Sequence, residues 1–166
     1  MSGLVRLARP EKRSLRLAAA GALVALPLTA GAGELRITVE GIRSTQGTVL
    51  IGLYDSPESF ERAVEASGKD RFLIDPDRFG AVALRANTAL KSAVVFTNLE
   101  PGRYAAVAFH DENGNGKLDK NFLGSPTEPY GFSNKAQGLL GPPSFADAAV
   151  ALGDGDSAIR IALILP

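Results

Sequence analysis

Between Arg103 and His110 the chain reads RYAAVAFH, and that run is apolar on both faces. In an extended strand, successive side chains point to opposite sides. Ala105, Val107 and Phe109 then share one face, and Tyr104, Ala106, Ala108 and His110 the other. Leaving either face in water would forfeit roughly 25 cal/mol for each Å² of apolar surface. The strand must therefore be central, covered on both sides or set against a close neighbour. The residues that follow, Asp111 to Asn134, change abruptly to oxygen-bearing side chains, glycine, proline and aromatics. A buried strand that delivers a polar loop is a common way for a small β-domain to present a site.

The rest of the chain supplies the partners. Leu35, Ile37 and Val39 alternate with polar residues, the period of a half-buried strand. Thr48 to Asp55 repeats the pattern with Val49, Ile51 and Leu53, so the two runs are expected as a hairpin or neighbouring pair. Ala81–Ala86 and Lys91–Asn98 read as strands separated by Asn87-Thr88. Ala148–Leu152 and Ala158–Leu165 read as two more, joined by a hairpin at Asp154-Gly155. One short helix starts at Ser56-Pro57-Glu58, with Ser as N-cap and Pro in the first turn. Phe60, Ala63 and Val64 share its apolar face, Gly68 ends it, and it is expected across an open end of the fold. Asp75-Pro76-Asp77 is a turn within an irregular stretch. Pro101-Gly102 turns the chain into Tyr104, which is either a tyrosine corner or a plain turn followed by a β-favouring aromatic. Seven strands with frequent turns, one short helix and a long ordered loop predict an all-β fold. Its expected form is an antiparallel Greek-key sandwich of Ig-like or transthyretin-like type.

The N-terminus reads as an address. Arg6, Arg9, Lys12, Arg13 and Arg16 precede or enter an apolar run, Leu15 to Leu28, followed by small residues. That run is short of the roughly 20 apolar residues of a membrane span. Residues 1–32 are expected to be a signal peptide cleaved after Ala32, the alternative being an uncleaved anchor. Residues 33–166 then form one domain, periplasmic or secreted from a Gram-negative-type bacterium, with no membrane span after cleavage. Removing 32 of 166 residues leaves 134, a normal single-domain size. That part carries 13 Lys and Arg against 17 Asp and Glu, a net charge of −4. Such a balance argues against nucleic acid, which calls for a basic stripe. With no cysteine, no disulfide can staple the domain, so its core must hold it.

Asp111-Glu112-Asn113-Gly114-Asn115-Gly116-Lys117-Leu118-Asp119 puts oxygen side chains at alternate positions, with glycine sixth. A chain curling round one calcium ion needs that spacing. Asp111, Asn113, Asn115 and Asp119 would offer side-chain oxygens and Lys117 its carbonyl. The twelfth position, where a bidentate Glu closes an EF-hand, is Phe122. Glu112, Asn121 or Glu128 would have to close the loop instead, giving weak affinity, on the order of 10⁻⁴ to 10⁻³ M. An ion-free turn is the alternative, since Asn, Asp and Gly also fill turns for their own backbone bonding. His110, the sole histidine, is either a ligand or a structural side chain at a strand end. No nucleophile pairs with it in sequence, so no catalytic residue is assigned and a non-enzymatic protein is expected.

Asn121 to Ser144 is long for a loop and rich in Pro, Gly and aromatics. Phe122, Tyr130 and Phe132, with His110, are the expected ligand-binding side chains. The alternative is a flap that packs its rings onto the fold. The run LEPGRYAAVAFHDENGNGKLDKNFLGSPTEPYGFSN, with GPPSFADA after it, resembles domain of unknown function 2141, a family of exported bacterial proteins. The resemblance spans Leu35 to about Leu163 and implies a periplasmic or secreted β-sandwich, with no activity to carry over. Pro101-Gly102-x-Tyr104 also resembles transthyretin-like and carboxypeptidase-regulatory sandwiches. Together these readings predict a binding or structural module of the cell envelope whose partner is an envelope protein, a glycan or a small ligand. A periplasmic enzyme, or a small-ligand- or glycan-binding protein, using the 110–132 surface is the alternative.

Overall fold

The doubly apolar strand lies where its pattern requires, in the middle of a sheet. A computed structural model describes residues 5–8, 32–68, 80–84, 90–139 and 141–165. Most of the expected leader, the Asp75-Pro76-Asp77 turn and the Asn87-Thr88 turn lie outside the described residues. The elements are β1 (Val5–Ala8), β2 (Gly33–Glu40), β3 (Thr48–Tyr54), α1 (Pro57–Ala66), β4 (Gly80–Leu84), β5 (Ser92–Leu99) and β6 (Gly102–Asp111). There follow β7 (Tyr130–Phe132), a 3-10 turn at Ser133–Lys135, α2 (Phe145–Ala148), β8 (Val150–Leu152) and β9 (Ser157–Ala162). One sheet has the order β1-β5-β2-β9, and the other β4-β3-β6-β7, with β8 also on β6.

Two clusters of buried side chains explain the double face of β6. Ala106 and Ala108 join Val49, Ile51 and Leu53 of β3 in a core shared with Leu35, Ile37, Val94, Phe96 and Ile161 of the other sheet. Ala105, Val107 and Phe109 point the opposite way, into a second core with Leu50, Phe60, Phe132 and Phe145. That second core is roofed by α1 and α2 rather than by a second sheet, with Phe132 joining it from β7 of the same sheet. α1 starts as its sequence predicts: the Ser59 amide donates to the Ser56 hydroxyl at 3.3 Å. Its Phe60 meets Tyr54, Phe132 and Phe145 edge-on, with ring centroids 5.9–6.1 Å apart. The helix thus lies on a sheet face, not across an open end, because Phe60 and Ala63 are buried on the cluster that β6 sends outward. The Tyr104 hydroxyl donates to the Glu100 carbonyl at 2.8 Å, so the corner reading of that turn is the correct one.

Several pairings differ from expectation. β2 and β3 do not pair; each belongs to a different sheet. The Asp154-Gly155 turn does not close a hairpin either, since β8 pairs with β6 and β9 runs parallel to β2. The reason is burial: Leu152 and Ile161 enter the same core from the two sheets, so the chain must cross between them. β1 also runs parallel to β5, so the first sheet is mixed rather than antiparallel. β1, β7 and α2 bring the described strands to nine rather than seven, and the helices to two.

Candidate binding groove and its loop

Asp111 ends β6 with its side chain almost wholly buried. One carboxylate oxygen accepts the amides of Gly114 and Asn115 at 2.8 and 3.0 Å, and the other accepts Gly116 at 2.7 Å. One carboxylate thus winds the loop around itself. The winding needs left-handed backbone at Gly114 and Gly116, whose φ values are +75° and +80°. Asn113 and Asn115 send their side-chain amides to the Asp119 carboxylate at 2.6 and 3.0 Å. Their own oxygens accept the Asn115 and Lys117 amides. The side chains at 113, 115 and 119 therefore converge through amide-to-carboxylate bonds. Lys117 has its amide in the same lattice. Among the described residues there is no group of three or more His, Cys, Asp or Glu that could hold a metal ion.

Glu128 locks the loop from below. Its two oxygens accept the Glu112 and Asp119 amides at 2.8 and 3.0 Å. Burial pushes its pKa up; the two amides pull the other way, and the neighbouring Asp119 and Asp111 push it further up. Glu112 sits on the outer side with both oxygens on the Arg43 guanidinium, at 3.0 and 2.7 Å. The bond to Arg43 holds its carboxyl below the ordinary range. His110 is buried beneath them. Its Nε2 lies 2.8 Å from the Gln46 carbonyl, and its Nδ1 3.7 Å from Glu112.

Past the loop, the chain is tied to α1 and then thrown outward. The Leu118 amide donates to the Ser67 carbonyl at the end of α1 at 2.8 Å. Lys120 and Pro126 then bridge, closing a short tip. The Asn121 side chain fixes that tip by accepting the Leu123 and Ser125 amides. Held this way, Phe122 is 95% exposed and Leu123 75% exposed. Opposite, on the flap, Leu139 is fully exposed at 101%.

Between the tip, the flap and α1 lies a cavity of about 510 Å³. Val107, Phe109, Leu118, Tyr130 and Phe132 line it, with Val64 of α1 and with Leu123 and Leu139 at its rim. That volume falls in the range of small-ligand pockets, about 300–1,000 Å³. The expected ligand-binding residues are thus divided. Tyr130 and Phe132 line the groove, Phe122 stands on the tip beside it, and His110 is enclosed elsewhere. Phe132 is also a core residue, packed on Phe60 and Tyr130, so truncating it reports on folding as much as on binding. Sequence reasoning missed Leu123, Leu139, Val64 and the α1 wall. One signal was present: two apolar residues inside an Asn-x-x-Gly turn have nowhere to hide.

These observations define an all-β protein of two sheets and few helices, carrying an apolar groove beside a self-bonded loop. The chain belongs to the family of uncharacterised proteins conserved in bacteria termed DUF2141, whose profile matches residues 37–160. The match runs from β2 into β9 and so includes the loop, the tip and the flap. The comparison with curated proteins gave no match.

Proposed function

We propose that this protein is an exported, non-enzymatic binding module of the cell envelope, and that the groove beside residues 110–132 is its site. The observation that carries the reading is the groove itself: an apolar cavity of about 510 Å³ edged by exposed Leu123 and Leu139. Soluble proteins keep large exposed apolar patches for partners or ligands. The wall of the groove from Val64 to Leu139 is mostly apolar, with its charges, Glu65 and Lys120, at the mouth, which favours a ligand or partner segment with an apolar body over a glycan or nucleic acid. The basic leader with its short apolar run and small residues supports cleavage after Ala32 and a periplasmic or secreted mature domain. Two sheets sharing one core, with the Tyr104 corner, support a Greek-key sandwich related to transthyretin-like domains. The enclosed His110 supports the absence of acid–base chemistry.

The test uses rim residues whose loss cannot disturb the core. Leu123→Asp and Leu139→Asp should melt as the wild type does, yet be retained on isolated cell envelopes about tenfold less, a loss of about 1.4 kcal/mol. Full retention by every rim variant would remove the groove from the account.

A second reading rests on the convergence of Asn113, Asn115 and Asp119. If both amides rotate, their oxygens join Asp111 and the Lys117 carbonyl around one calcium ion of millimolar-range affinity. Millimolar calcium should then stabilise the fold by about 1 kcal/mol through binding to the native state alone. Identical melting curves in calcium and in chelator would leave the loop as a hydrogen-bonded turn.

A further inference from the structure

The groove has two charged side chains at its mouth. Lys120 comes from the base of the tip and Glu65 from the last turn of α1, and both are exposed. Among the described residues no ion pair engages either one. Between them the lining is mostly apolar, from Val64 across Tyr130 to Leu139, with the Ser67 and Ser125 side chains beside it. A ligand that satisfies all of this has one apolar chain for the groove and a head that carries both signs of charge. We propose that the site takes a single-chain zwitterionic phospholipid, with its acyl chain along Val64, Tyr130 and Leu139, its phosphate facing Lys120 and its ammonium facing Glu65. A diacyl lipid has a second chain that this groove does not house. The proposal rests on the binding-module reading and adds the chemistry of the ligand. Charge complementarity at the mouth sets selectivity, while the apolar wall sets most of the affinity.

Calorimetric titration of the chain as purified after export, with lipid kept below its micelle threshold, tests this. Myristoyl lysophosphatidylethanolamine should bind one to one, and about tenfold more tightly than myristate, which offers only the anion. Lys120→Glu and Glu65→Lys should each weaken the lysophospholipid about tenfold and leave tetradecanol unaffected. Leu139→Asp should weaken all three ligands. Equal affinity for myristate and the lysophospholipid would overturn the proposal, as would indifference to Leu139→Asp. Association with intact vesicles without uptake of monomeric lipid would also overturn it, in favour of a bilayer contact. If the lysophospholipid fails to bind while Leu139→Asp still lowers envelope retention, the ligand class is wrong and the binding module stands. If neither responds, both fall.

Discussion

Glu128 is the carboxylate on which the loop's closure turns, and its burial gives a testable sign. Its folded-state pKa lies above the ordinary 4.5, first because burial penalises the charge. A raised carboxyl binds more protons in the folded chain than in the unfolded one. Its contribution to stability is therefore complete below pH 4.5 and is lost as the pH rises through the folded-state value. Glutamine at 128 cannot titrate. The stability of the wild type relative to Glu128→Gln, measured by urea denaturation across pH 4 to 8, should fall as the pH rises. A difference that grows with pH would contradict the assigned direction. Glu112 has the opposite sign: the bond to Arg43 depresses its pKa, so its contribution is lost as the pH falls through its folded-state value below 4.5.

The 111–119 loop behaves as one element because a single side chain organises it. Asp111 accepts three backbone amides, and hydrogen bonds to a charged acceptor contribute about 1.5–3 kcal/mol each. Asp111→Ala should destabilise the domain by about 3 kcal/mol or more, read as a shift in the urea midpoint. It should also speed amide exchange at Gly114 and Gly116. A loss below 1 kcal/mol would show that the loop holds without its buried anchor. How much of this was legible in sequence depends on distance along the chain. The alternating oxygens and the sixth-position glycine were readable because their partners are only a few residues apart. Glu128 was legible only as one of three residues that could close the loop; nothing local says that its oxygens would do so by taking the Glu112 and Asp119 amides. α2 was readable and went unread: Ser144 and Asp147 form a capping box, a Ser-x-x-acid signal in plain sequence.

The strands of the fold were legible from period two, and their pairing was not. β2, β3, β5 and β6 all stand within a residue or two of their predicted positions. Which sheet each joins depends on long-range burial, so adjacent β2 and β3 separate and β8 parts from β9. The same limit hid the groove. Its walls come from α1, β6, the tip and the flap, more than seventy residues apart at the extremes, Val64 and Pro142. Sequence reading reached Tyr130 and Phe132 but could not see that α1 would meet them. Placing ligand recognition in that groove, and not at the enclosed His110 or on the opposite sheet, is the assertion on which everything functional depends. A nitrogen–proton NMR shift map, recorded as the labelled protein is titrated with a cell-envelope extract, measures it directly. The perturbed amides should cluster at Val64, Leu118, Leu123, Tyr130 and Leu139. Perturbations confined to β5, β2 and β9, with those five amides unmoved, would contradict it.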